Sequence, residues 1–345
     1  MPPPNSADTH GGGADEPRGG AGGEGGVDER PGLGEFATIA RLARLVAGRG
    51  RGPEEGETWI GDDAAVLRPR ERWMVLTTDL VVAGVHGDLT VMGVDDLGWR
   101  AFVASVSDVA AMGGRPSHAV VSVAAAGGAD VEGLYEGIAA AAEEYDCPVV
   151  GGDLSGMGGT GEGPPLVVSV ARTGEVADDP PPVRRSGARA GDSLFVTGPL
   201  GASAAGLRAL RAGRGHDPLA DAHRRPRARV AEGDAARRAG AGAMVDVSDG
   251  LVGDLGRLAS ASGVGFELAR VPVAAGADPD DALGGGEDYE LVIATARPDT
   301  LVEHFAAVGL RPPLLIGTCV ADVDRRTLEG RPVPAGGWEH TFGPS

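Results

Sequence analysis

Residues 95–114 read DDLGWRAFVASVSDVAAMGG, and their patterning decides how the chain is organised. The spacing predicts a helix over Asp95–Met112, with an acidic residue at its start and Gly113-Gly114 as its stop. Leu97, Ala101, Ala104 and Asp108 fall on one face of that helix, so Asp108 points inward with the apolar residues. It also sits in the last turns, where the negative end of the helix dipole disfavours a carboxylate by a few tenths of a kcal/mol or more. An inward acid at that end of a helix needs a cation.

Working outward, the flanking segments alternate between strand and helix patterns. WIGDDAAVL (59–67) and RWMVLTTDLVV (72–82) read as strands upstream, after a helix in GEFATIARLARLVAG (34–48), where Phe36, Ile39, Leu42, Ala43 and Val46 recur at helical spacing. Downstream, HAVVSVAAA, CPVVGG and PLVVSVAR read as strands and VEGLYEGIAAAAEEY as a helix. The pattern breaks near Pro180-Pro181-Pro182, which places a domain boundary at 178/179. The second half restarts with the strand SLFVTG and helices in LGASAAGLRALRAG, RPRARVAEGDAARRAG and GLVGDLGRLASASG. GFELA and ELVIAT read as strands, and a last helix starts at Asp299. Two α/β domains (33–178 and 179–345) in an α+β arrangement fit this mixture better than one doubly wound sheet.

Asp108 is one of a series. Asp62 and Asp63 (IGDDAAVL), Asp79 (LTTDL), Asp153 (VVGGDLSG), Asp246 and Asp249 (MVDVSDGL) and Asp288 (GGGEDYEL) also sit in short turns rich in Gly, Ser or Thr. Each has a bland alternative: Asp62-Asp63 as a hairpin pair, Asp79 as a turn acid, Ser248 or Asp249 as a helix N-cap. As a set they suit hard cations, since magnesium takes oxygen ligands from one or two carboxylates, water and phosphate.

The 345 residues contain 31 Lys+Arg, and every one is arginine. A P-loop lysine, a Schiff base and a lysine general base are therefore excluded, and GTGEGPP (159–165) lacks the GK[ST] of a P-loop. A formal net charge of −19 argues against nucleic-acid binding. Cys147 and Cys319 offer neither a disulfide framework nor zinc spacing. Residues 1–32 lack the apolar core of a signal peptide and read as a disordered acidic, Gly-rich tail. No apolar run reaches the roughly 18 residues of a membrane span. The expected location is the cytoplasm.

GEF, GDDAAVL, TTDLVVAGVH, SVSDVAAMGGRP, VVGGDLSG, RRSGARAGDSLFVTGPLG, DVSDGL and GGGEDYEL occur in this order from Gly34 to Leu291. In that order the chain resembles the thiamine-monophosphate kinase family, within the wider superfamily of aminoimidazole ribonucleotide synthetase, selenophosphate synthetase and hydrogenase-maturation enzymes. The resemblance implies ATP-dependent phosphorylation of thiamine monophosphate, assisted by several magnesium ions. It also implies N-terminal domains that pair across a two-fold axis into a shared β-barrel, making a homodimer. It implies metal ligands at Asp63, Thr77, Thr78, Asp79, Asp108, Asp153, Asp246 and Asp249. Tyr135, Gly152, Asp153, Arg185 and Ser248 match ATP contacts, and His86, Glu287 and Trp338 match contacts to the thiamine substrate. No side chain acts as a general acid or base in this scheme. The chain departs from the pattern at Gly87-Asp88-Leu89 after His86 and at Trp338, where a tyrosine or phenylalanine is usual. Other enzymes of the superfamily, or a non-catalytic calcium-holding protein, are the alternative readings; the second lacks EF-hand spacing.

Overall fold

A computed structural model describes residues 41–42, 44–47, 49, 51–52, 73–158, 166–333 and 336–338. The expected tail at 1–32, the strand WIGDDAAVL with Asp62 and Asp63, and most of the helix at 34–48 lie outside the described residues.

The helix read from 95–114 is present as α1 (Val94–Ala111), the most deeply buried helix described. Its start is set by Asp96, whose carboxylate accepts the Gly93 N–H at 3.2 Å, and Asp95 and Asp96 both suit the positive end of the helix dipole. Strand β1 (Trp73–Val82) precedes it, and β2 (Arg115–Ala126), α2 (Val131–Glu144), β3 (Val149–Met157) and β4 (Leu166–Val176) follow. The four strands form an open sheet in the order β1-β4-β2-β3, antiparallel except for the parallel β2–β3 pair.

α1 and α2 cross at van der Waals closeness because their contact points are glycines. A Cβ on Gly98 would lie 2.0 Å from the Leu134 carbonyl oxygen, and one on Gly137 would lie 1.8 Å from that of Asp95. Both helices then bury Leu97, Phe102, Leu134 and Ile138 completely against the sheet's inner face, where Val121, Val168 and Val170 point.

The second half contains β5 (Ser193–Val196), α3 (Ala202–Arg211), α4 (Pro218–Arg224), α5 (Val230–Arg238), β6 (Ala243–Asp246), α6 (Leu251–Ser262), β7 (Gly265–Leu268), α7 (Pro279–Gly284), β8 (Leu291–Thr295), α8 (Pro298–Ala307), β9 (Leu314–Val320), β10 (Arg326–Leu328) and β11 (Arg331–Pro332). Its sheet runs β11-β10-β7-β9-β5-β8-β6, antiparallel except between β10 and β7. Two separate mixed sheets with their own helices are the α+β arrangement expected from the sequence, and both sheets are open among the described residues.

Six of the described elements were not read from the sequence: α4, α7, β6, β9, β10 and β11. The two helices are only seven and six residues long, and AMVD at β6 is too short to show a period. The expected start of α5 also moves: the run 225–229 (RPRAR) stays non-helical, and the helix begins at Val230.

Glu35–Ser345 forms one compact unit. α1 is its hub, touching β1, β2 and β4 on one side and α4, α5 and β6 on the other.

Candidate functional site

Strand alternation sorts the residues of β1. Thr77 and Asp79 turn toward α1 with Val75 and Val81, while Met74, Leu76, Thr78 and Leu80 turn to the open face. Thr77 Oγ1 donates to Asp108 Oδ2 at 2.5 Å, which fixes the inward acid of α1 against β1. One residue earlier on the same helix, Ser107 Oγ donates to Asp246 Oδ2 at 2.7 Å. The last turns of α1 therefore gather Asp79, Asp108 and Asp246 from three elements of both halves.

This gathering is electrostatically costly. Burial, then the charge of Asp108, pushes the Asp79 carboxyl up to about 7. Burial, then again Asp108, pushes Asp246 up to about 8, and burial also raises Asp108. Asp79 Oδ2 is buried with no hydrogen-bond partner among the described residues. Arg172 and Arg185 supply the nearby positive charge that opposes these shifts. Thr77, Asp108, Asp246 and Arg185 line a cavity of about 640 Å³, together with Arg184 and Met244.

Arg172 was not singled out in the sequence, where it is only the last residue of an apolar strand. It projects from β4 beneath the acids, lies 4.0 Å over the Phe102 ring, and donates to Ser105 Oγ at 2.8 Å and the Phe102 carbonyl at 2.7 Å. A fully buried guanidinium held this way is a fixed counter-charge under Asp79 and Asp108.

The turn DVSDG is built differently from expectation. Neither Ser248 nor Asp249 caps α6; the N-cap is Gly250. Asp254 reaches back instead, and its Oδ2 accepts the N–H groups of Ser248, Asp249 and Gly250 at 3.1, 2.9 and 3.1 Å. Three successive amides converging on one carboxylate lock the turn. Asp249 pairs with Arg257 at 2.6 Å. Asp288 is likewise structural: its carboxylate accepts the Gly201 and Ser203 N–H groups at 2.6 and 3.1 Å, anchoring the start of α3.

On the flank that the resemblance assigns to the substrate, His86 Nδ1 accepts the Val82 N–H at 3.0 Å. Glu287 pairs with Arg100, and its N–H donates to the Ser248 carbonyl at 2.7 Å. The Trp338 N–H donates to the Asp249 carbonyl at 2.9 Å, so the C-terminal segment lies against the DVSDG turn, with the indole side exposed.

Gly152 sits in register with Val121 on the inner face, where a Cβ would lie 1.9 Å from the Val121 carbonyl oxygen. Asp153, the next residue, turns to the open face beside Ser122 and is exposed. Tyr135 is buried on α2, its hydroxyl 3.5 Å from the Val121 carbonyl; burial and then Asp153 push it up to about 12.

Of the eight expected metal ligands, Thr77, Asp79, Asp108 and Asp246 come together. Thr78 and Asp153 share the opposite face of the first sheet, Asp249 faces Arg257, and Asp63 lies outside the described residues. Among the described residues no three Asp, Glu, His or Cys side chains stand close enough to hold an ion by themselves. The donors that do converge are all oxygens, and one buried carboxylate oxygen, Asp79 Oδ2, has no partner among the described residues. That chemistry fits a hard cation.

Residues 61–176 match the family model for AIR synthase related protein, N-terminal domain, and residues 189–327 match the corresponding C-terminal domain. The thiamine-monophosphate kinase of Corynebacterium glutamicum is 36% identical over 288 residues, covering 76% of this chain and 82% of that protein. The one from Aquifex aeolicus is 33% identical, covering 89% and 98%. Among solved structures, thiamine-monophosphate kinase from Stenotrophomonas maltophilia superposes with a TM-score of 0.73 at 32% identity, covering 87% of this chain and 98% of that one. AaThiL complexed with AMPPCP and TMP superposes at 0.69 and 32%, covering 90% and 97%. Hydrogenase maturation protein HypE shares the fold at 20% identity and a TM-score of 0.63, covering 80% of this chain and 88% of that one.

Proposed function

The chain belongs to the thiamine-monophosphate kinase family, and we propose that it transfers the γ-phosphoryl group of ATP to the phosphate of thiamine monophosphate, releasing thiamine diphosphate and ADP. The observation that carries this reading is the convergence of Asp79, Asp108 and Asp246 at the last turns of α1, with Asp79 Oδ2 lacking a partner among the described residues.

Both reactants are polyanions, and two like unit charges 4 Å apart repel by about 4 kcal/mol at an effective dielectric of 20. A chain with no lysine has only arginines to set against that repulsion, and at the last turns of α1 Asp79, Asp108 and Asp246 add further negative charge. Asp63, Thr77, Thr78, Asp79, Asp108, Asp153, Asp246 and Asp249 would hold several magnesium ions, which would supply positive charge against the phosphates. Arg185, Gly152, Ser248 and Tyr135 would place ATP, and the close backbone approach at Gly152 suits a phosphate chain. His86, Glu287 and Trp338 would hold the thiamine portion.

The attacking atom is a phosphate oxygen that is already ionised at neutral pH, so no general base is needed and the chain's task is positioning. The bond from that oxygen to the γ-phosphorus forms as the β–γ bridging bond breaks, and ADP leaves with the electron pair.

The division at 178/179 assigns one sheet to each domain. Two N-terminal domains pair through the open face of the first sheet, where Met74, Leu76 and Leu80 are 67, 72 and 56% exposed on one strand. An apolar stripe of this kind is rarely left in water, and closing two open sheets on each other makes the shared barrel of a homodimer. The enzyme works in the cytoplasm without nucleic acid or membrane.

Incubating the purified chain with ATP, magnesium and thiamine monophosphate should yield thiamine diphosphate and ADP in equal amounts. ADP formed with no thiamine diphosphate would refute the substrate assignment.

A further inference from the structure

Arg100 and Arg172 are the two largest fully buried side chains among the described residues. Arg172 has its explanation in the acids above it. Arg100 stands elsewhere, and its partners come from three separate segments. Its Nη2 pairs with Glu287 Oε2 and donates to the His86 carbonyl at 3.3 Å, and its Nη1 donates to the His223 carbonyl on α4. Its Nε has no partner among the described residues.

A buried arginine is an expensive way to fill space, because an apolar residue of similar volume would pack there without the desolvation penalty. Its geometry therefore calls for a role. Two of its three partners, His86 and Glu287, are the residues assigned above to the thiamine portion of the substrate. Glu287 is itself held against its backbone preference, at φ 56° in the left-handed region. Non-glycine residues stay there only where the surroundings hold them. Its N–H is tied to the Ser248 carbonyl, on the phosphate side, and its carboxylate is tied to Arg100.

We infer that Arg100 is a positioning residue for the thiamine subsite. It sets the Glu287 carboxylate and the His86 turn at a fixed separation, and it presents a 30% exposed side chain, with a second carboxylate oxygen, to a flat cationic ring. A lysine cannot do the same, since one ammonium lacks the planar fork that reaches three acceptors in fixed directions. The inference rests on the thiamine-monophosphate kinase reading.

The test is steady-state kinetics of Arg100→Lys, Arg100→Met, Glu287→Gln and the Arg100→Lys/Glu287→Gln double variant, with both substrates varied. Arg100→Lys should raise the KM for thiamine monophosphate about tenfold and leave the KM for ATP within about twofold, with kcat little changed. Arg100→Met should be worse than Arg100→Lys on the same parameter. The double variant should lose clearly less than the sum of the two single effects, because Arg100 acts in large part through that carboxylate. Both KM values moving together, effects that add, or Met performing as well as Lys would overturn the inference while leaving the kinase reading intact. If the arginine variants do not fold, Glu287→Gln, which alters a partly exposed residue, decides: an unchanged KM for thiamine monophosphate overturns the inference. A wild-type chain that makes no thiamine diphosphate overturns the kinase reading and the inference with it.

Discussion

At the scale of single residues, the acids at the end of α1 cost the fold stability, as a buried ion site would require. Burial raises Asp79 and Asp108, and their mutual repulsion adds to the cost on Asp79, with Arg172 and Arg185 supplying nearby positive charge. Asp79→Asn removes one of the two charges. In EDTA at pH 8 the variant should melt above wild type, while its kcat should fall by at least about 100-fold with magnesium restored. Calorimetry and a coupled ADP assay check the two halves. A variant that melts below wild type in EDTA, or keeps activity within a few-fold, would remove Asp79 from the ion site.

His223 gives a second residue-scale test, away from the acids. It is buried on α4 with Nδ1 3.1 Å from Ser203 Oγ, and burial followed by Arg100 pushes its pKa down to about 3 from 6.5. Between those values the unfolded chain binds the proton and the folded chain does not, so stability rises with pH and is lost as pH falls below 6.5. The full effect is on the order of 3–5 kcal/mol. Asp288, raised to about 6 chiefly by burial, works in the opposite sense, since its folded form keeps a proton that the unfolded form releases above pH 3.8. Urea unfolding of wild type and His223→Asn at pH 7.5 and 5 separates the two. The variant should lose less stability on acidification, and equal losses would contradict a neutral buried imidazole.

At the scale of elements, the long periodic segments were legible in the sequence. α1, α2, β2 and α6 declared themselves through apolar spacing and glycine stops, and the inward aim of Asp108 followed from its place on the same face as Leu97 and Ala101. The roles of Asp254, Asp288, Arg100 and Arg172 were not legible, because each depends on groups distant in sequence or on which way a turn folds. Asp254 looks like an ordinary helix acid until its carboxylate is seen to gather the amides of 248–250. The α1–α2 crossing is a further case, since Gly137 reads as a weak helix residue. Gly137→Ala raises intrinsic helix propensity by about 1 kcal/mol. A Cβ there would nevertheless meet the Asp95 carbonyl oxygen at 1.8 Å, and backbone cannot step aside cheaply. The variant should lose about 1–3 kcal/mol in denaturant unfolding. A gain in stability would mean that the two helices are not held this closely.

At the scale of the whole molecule, two open sheets share one hub helix, and the outer face of the first sheet carries an apolar stripe. Leu76→Asp places a charge in the middle of that stripe, in register with Thr173. Light scattering at micromolar concentration should find wild type as a dimer and the variant as a monomer. A wild-type monomer would contradict pairing through this face.

In the proposed reaction this lysine-free, acidic chain carries a phosphoryl group directly from one polyanion to another. ATP labelled at the γ-phosphorus, with thiamine monophosphate and with magnesium supplied or chelated, follows that group. The label should appear in the terminal phosphate of thiamine diphosphate, one equivalent per ADP, and only when magnesium is present. Label recovered only as inorganic phosphate, or transfer that persists in EDTA, would contradict the account.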